Sequence, residues 1–193
     1  WAGGGCGVLN IPREKDDTKA DAFWNSSSWM LRGASVLLEK ANEGMAGLYP
    51  QSVHSSQQAS ELAIKSLMFR TCGITQDELK GQGAHDLTLL ISRITQSGEW
   101  SCPVEGSELS SLAAAYTAAR YPLNDMRQTP TDKYGQHEAQ AALRTATKIR
   151  DWAALTHNLP TPRSIGRASI EMMDDVPSME PVSLEPAPIP VPP

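Results

Sequence analysis

The sequence predicts an all-α fold, an antiparallel up-and-down bundle of about five helices. Three observations carry that expectation. Apolar residues recur at i, i+3, i+4 spacing over five separate stretches, the pattern of helices with one buried face. No proline falls inside any of the five. Hydrophobic residues make up 40% of the chain but aromatics only 6%. Ala and Leu must therefore build much of the core, which suits closely packed helices better than a β-sandwich.

Residues 1–27 read as a flexible linker. Gly3-Gly4-Gly5 is followed by the mixed-charge run Pro12-Arg13-Glu14-Lys15-Asp16-Asp17, which has no periodicity, and Trp24 is the one side chain there suited to docking. No Lys-Ser or Lys-Thr follows the glycines, so they do not form a phosphate loop. The first helix is expected over 28–43, with Ser26 or Ser27 as N-cap and Met30, Leu31, Ala34, Leu37, Leu38 and Ala41 on its inner face. Gly44 ends it, and Tyr49-Pro50 marks a connection, because a residue before proline avoids the helical region.

The second helix, 51–70, organises the chain. Ala59, Leu62, Ala63, Ser66 and Leu67 form one narrow face of small residues, and Gly73 supplies a stop. A polar stripe, His54, Gln58, Glu61 and Lys65, lies along the same helix. On the residues alone it reads as a solvated face, with a Glu61–Lys65 pair contributing roughly 0.2–0.5 kcal/mol.

The third helix is expected over 85–96, with the stripe Leu87, Leu90, Ile91 and Ile94 and with Asp86 in the first turn, where exposed amides favour a carboxylate. The fourth is capped by Ser107, carries Leu109, Leu112, Ala113, Tyr116 and Ala119, and stops at Pro122 after Tyr121. Residues 124–135 read as a surface loop. The fifth helix, 136–157, turns Ala139, Ala142, Leu143, Ala146, Ile149 and Ala153 inward. The domain thus spans 28–158. Residues 159–193 form a Pro-rich, acidic tail from which no core can be built, so disorder is expected. Its Pro190-Val191-Pro192-Pro193 fits a PxxP pattern but lacks a flanking Arg and reads as solvated.

Net charge is −5 over 193 residues. Residues 28–157 hold 12 Lys and Arg against 13 Asp and Glu, so the surplus of acid sits on the flanks. A near-neutral domain offers no broad basic footprint for long nucleic acids, though a small basic pocket is allowed. The 3 cysteines are widely spaced with no Cys-x-x-Cys pair, which argues against both a disulfide framework and a structural zinc site. A reduced, cytoplasmic setting is expected, and no apolar run approaches the ~20 residues of a membrane span. The 4 histidines lack the His-Glu-x-x-His spacing of a zinc protease. No Gly-x-Ser-x-Gly elbow is present, and Cys102 has no neighbouring base.

Three short motifs then fall in order with helices between them: His54 to Met68, His85-Asp86-Leu87 and Arg120-Tyr121-Pro122. Together they resemble the HEPN family over about residues 28–157, and in particular the C-terminal HEPN domain of sacsin-like, chaperone-associated proteins. The resemblance implies a helical bundle that forms a homodimer and binds a nucleotide, GTP or ATP, in a polar cleft without catalysing a reaction. It implies no metal and no other cofactor. His54, Lys65, His85, Arg120 and Tyr121 are the expected site residues. Lys65 and Arg120 would face phosphates, the histidines would hydrogen-bond, and Tyr121 would stack on a base. In the family an acid often follows the proline directly; here Leu123-Asn124 intervene before Asp125.

Two other functions fit the same resemblance. Ribonuclease branches of the family use an Arg and a following His without metal, and Arg150 and His157, two helical turns apart, fit that spacing loosely. A pure dimerisation or docking domain within a larger chaperone-like chain is the other. Dimerisation is expected through the small-residue face of Ala59, Ala63 and Ser66.

Overall fold

The computed structural model describes residues 16–72, 74–75, 77–80, 83–96, 100–102, 104–122 and 127–157 of the 193. The expected tail, 159–193, and Asp125 lie outside the described residues. Six helices follow one another among the described residues: α1 (Asp17–Asn42), α2 (Tyr49–Cys72), α3 (Leu87–Thr95), α4 (Gly106–Ala118), α5 (Pro130–Lys133) and α6 (Gln136–His157). The all-α bundle is the architecture observed. α2 runs through its middle, in contact with α1, α3, α4 and α6.

α1 begins at Asp17, well before the expected start at 28. Asp16 caps it, its carboxylate accepting from the Lys19 N–H at 2.9 Å. Ala20 and Ser27, both fully buried, continue the face of Ala34, Leu38 and Ala41. The stretch 17–27, read above as linker, is thus helix, and Phe23 within it stacks on Phe69 of α2 with ring centroids 5.3 Å apart.

The contact between α1 and α2 explains the small residues of both. Ala20, Ser27, Ala34 and Ala41 recur every seven positions on α1, and Ser52, Ala59 and Ser66 do so on α2. The Ser66 hydroxyl donates to the Ala20 carbonyl at 2.6 Å, Ser27 to Ala59 at 2.8 Å, and Ser52 to Ala34 at 2.7 Å. Partners descend along α2 as they ascend along α1, so the helices are antiparallel. Side chains this small bring the backbones close enough for a hydroxyl on one helix to reach a carbonyl on the other. Each bond also satisfies a buried hydroxyl. The face of Ala59, Ala63 and Ser66 is therefore filled by this chain's own helix, which corrects the expected route to a homodimer.

The rest of α2 carries Ile64, Leu67, Met68 and Phe69 into the apolar core, joined there by Leu87, Leu90 and Ile94 of α3, Leu109 and Leu112 of α4, and Ala139, Ala146 and Ile149 of α6. Three boundaries differ for local reasons. Tyr49 adopts helical dihedrals despite the proline after it, and Pro50 sits in the first turn, where its missing N–H has no partner to lose. Asp86 is the N-cap of α3, accepting from the Thr88 and Leu89 N–H groups at 2.9 and 3.2 Å. α4 is capped by Glu105 and ends at Ala118, so Arg120 lies in the turn that follows. Within the expected 124–135 loop, the Thr129–Asp132 capping box forms the short α5. Gly83, at φ 92°, makes the turn before α3; a Cβ there would meet Leu89 Cδ2 at 2.5 Å.

Candidate functional site

The polar stripe of α2 faces the interior. Glu61 and Lys65 are only 6% and 7% exposed. One turn of helix brings the Lys65 ammonium to 2.6 Å from Glu61 Oε1. Glu61 Oε2 accepts from Gln57 Nε2 at 3.2 Å, and Gln57 is fully buried. The carboxylate is held on a third side by another element: His85, in the turn before α3, places Nδ1 2.9 Å from Glu61 Oε1. A carboxylate only accepts, so His85 presents a proton to it on Nδ1. Three donors thus offset the burial of one anion.

α4 adds the next layer. The Tyr116 ring stacks on His85 with centroids 4.7 Å apart and planes 12° from parallel. Four residues on, the Arg120 guanidinium lies 4.2 Å from the same ring, and its Nε–H donates to the Tyr116 carbonyl at 2.8 Å. Arg120 is exposed, and no carboxylate pairs with it among the described residues. Its guanidinium also lies 5.4 Å from the ring of Tyr121, which is itself exposed.

His54 is half-buried one turn before Gln57. Burial pushes its pKa below the usual value, the Arg120 charge pushes it further the same way, and Glu61 opposes both weakly. Its neutral form is therefore favoured. Its Nδ1 and the Gln57 Oε1 are buried without hydrogen-bond partners.

The structure thus brings together His54, Lys65, His85 and Arg120, with Tyr121 at the edge. Lys65 is placed differently from the role expected of it: its ammonium is engaged by Glu61 rather than open to a ligand. Two members were missed. Tyr116 was assigned to the inner face of its helix, yet its spacing of four from Arg120 was a usable signal. Gln57, rather than Gln58, joins Glu61, a distinction of one helical position that the pattern did not resolve.

Beside this cluster, α3 and α4 border an open cleft of about 600 Å³, within the range of small-molecule sites. His85, Asp86, Thr88, Ser110, Tyr116 and Thr117 are on its walls. A smaller hollow of about 370 Å³ lies between α4 and α6, with Glu108, Glu138 and Arg144 among its lining residues. There Glu108 bridges Lys148 at 2.9 Å, and Glu138 accepts from the Gly135 N–H at 3.0 Å. Among the described residues no cluster of three His, Cys, Asp or Glu side chains is arranged to hold a metal ion, and no helix is long and apolar enough to cross a membrane.

Arg150 of α6 is separate from the cluster. It is 6% exposed, donates from Nη2 to Ser28 Oγ at 2.6 Å, and packs its guanidinium 4.3 Å from the Trp24 ring. Trp24 thereby docks on the bundle as expected. The Arg150 Nε is buried without a partner, and burial lowers the guanidinium's pKa, with neighbouring Asp151 acting against the shift. The His157 side chain lies outside the described residues.

Comparison with known proteins adds a family and a fold. The HEPN domain matches residues 27–157. No curated protein matches the chain. Among solved structures, the crystal structure of TT1696 from Thermus thermophilus is similar, with 21% sequence identity, coverage of 72% of this chain and 98% of that one, and a TM-score of 0.52. At that identity the likeness concerns the fold.

Proposed function

This chain belongs to the HEPN family, and on that premise we propose that it is a non-enzymatic nucleotide-binding module whose ligand sits in the cleft between α3 and α4. One observation carries the reading: two segments apart in sequence, the turn before α3 and the end of α4, stack His85 on Tyr116 at the cleft wall, with the Arg120 guanidinium packed on the same Tyr116 ring. Arg120 contributes a planar donor fork to a phosphate. The half-exposed His85 ring, backed by Tyr116, offers an aromatic face to a base, and its Nε2 adds a hydrogen-bonding group. Lys65 acts indirectly, by holding Glu61, which in turn orients His85. The absence of catalysis is supported by Asp86, the carboxylate on the cleft wall, because its Oδ1 is engaged in capping α3 through the Thr88 and Leu89 N–H groups.

Calorimetric titration of the Arg120→Ala variant tests this. Loss of a charge-assisted bond to phosphate should weaken nucleotide binding by roughly 1.5–3 kcal/mol. An exposed side chain in a turn should leave the melting temperature nearly unchanged. Unaltered affinity in the variant would refute the assignment of Arg120.

The ribonuclease alternative is favoured by one feature, the buried Arg150 with an unpartnered Nε. Weighing against it, the guanidinium is occupied by Trp24 and Ser28 of α1. Cleavage of single-stranded RNA in EDTA, lost on His157→Ala, would replace the present reading. Homodimerisation and the sacsin-like, chaperone-associated setting remain parts of the proposal that the family resemblance supports, with any pairing of copies through a surface other than the small-residue face of α2.

A further inference from the structure

We infer that the cleft takes a nucleoside carrying a single phosphate rather than a triphosphate, a refinement that rests on the nucleotide reading above. The charges around the cleft set the number of phosphates. Of the two cations in the cluster, Lys65 is buried and bonded to Glu61 at 2.6 Å. Arg120 is the other, exposed and without a carboxylate partner among the described residues. Among the described residues the cleft walls contain no Lys or Arg, and their one fixed charge is the carboxylate of Asp86. A β- or γ-phosphate would therefore meet no further cation and would approach an anion, which offsets the attraction of Arg120.

The remaining wall groups suit the rest of such a ligand. Thr88, Ser110 and Thr117 present hydroxyls of the kind that pair with ribose hydroxyls. The half-exposed His85 ring, backed by Tyr116, supplies the stacking surface. Base and ribose occupy the cleft, and the phosphate reaches outward to Arg120.

The test is a ladder of ligands titrated calorimetrically into the unmodified protein: guanosine, GMP, GDP and GTP, and the matching adenine series, with a short single-stranded RNA alongside. The first phosphate should tighten binding by about tenfold or more, the scale of one charge-assisted contact. The second and third should each change it by less than about threefold, because their gain at Arg120 is offset at Asp86. A triphosphate that binds more than about tenfold tighter than the monophosphate would overturn this inference while leaving nucleotide binding in place. Equal binding of nucleoside and monophosphate would overturn it too, as would binding of the RNA without the monophosphate. Failure of every nucleotide in the ladder to bind would remove the parent reading along with it.

Discussion

Replacing Lys65 with methionine is expected to destabilise the domain by about 3–5 kcal/mol, the usual cost of leaving one member of a buried ion pair behind. Glu61 would then be a carboxylate 6% exposed, with His85 and Gln57 as its only partners in the cluster. The double variant Lys65→Met/Glu61→Leu should recover most of the loss, since an apolar pair of similar volume removes the desolvation cost of both charges. Urea denaturation of the three proteins measures the effect. The two views of this stripe differ sharply in magnitude. A solvated i,i+4 pair would lose only roughly 0.2–0.5 kcal/mol in the single variant, and a loss that small would contradict the buried cluster.

Phe69→Ala should have an effect of similar size, about 3–5 kcal/mol. Phe69 is fully buried near the end of α2. It stacks on Phe23 at 5.3 Å, and the Lys19 ammonium lies 5.8 Å from its ring. Removing it opens a cavity and releases the first two turns of α1, which hold few other large apolar side chains. Chemical denaturation gives the stability. Hydrogen exchange over residues 17–27 should show the same variant losing protection locally. A loss below about 1 kcal/mol would mean that this end of the bundle collapses around the missing ring.

The same residues show how far the sequence could be read. α6 carried a long run of inward Ala, Leu and Ile at helical spacing, and its bounds, 136–157, agree with that pattern. The start of α1 was illegible by the same method, because its inward face is Ala20, Phe23 and Ser27, with one large apolar residue in three. Small residues report close packing only when the partner helix is known, and here the partner seam, Ser52, Ala59 and Ser66, lies beyond an intervening turn. That ambiguity also led the small face of α2 to be assigned to a second copy of the chain. The polar stripe was misread for a related reason. A pattern of His, Gln, Glu and Lys marks a solvated face on a peripheral helix. α2 is central, and only the fold shows that His85 and the α4 residues close over it. Of the site, His54, Lys65, His85 and Arg120 were reachable from three motifs. Tyr116, which joins two of them, was hidden by its place in an apolar stripe.

On the proposed reading, a nucleotide occupies the cleft between α3 and α4. The most direct test is an amide chemical-shift titration of the isotope-labelled protein with GMP or AMP. Saturable shifts are expected to concentrate at residues 83–88 and 110–121, with little change around Ser28 and Arg150. Shifts centred on Arg150 and the end of α6, or no saturable shift at millimolar ligand, would contradict it.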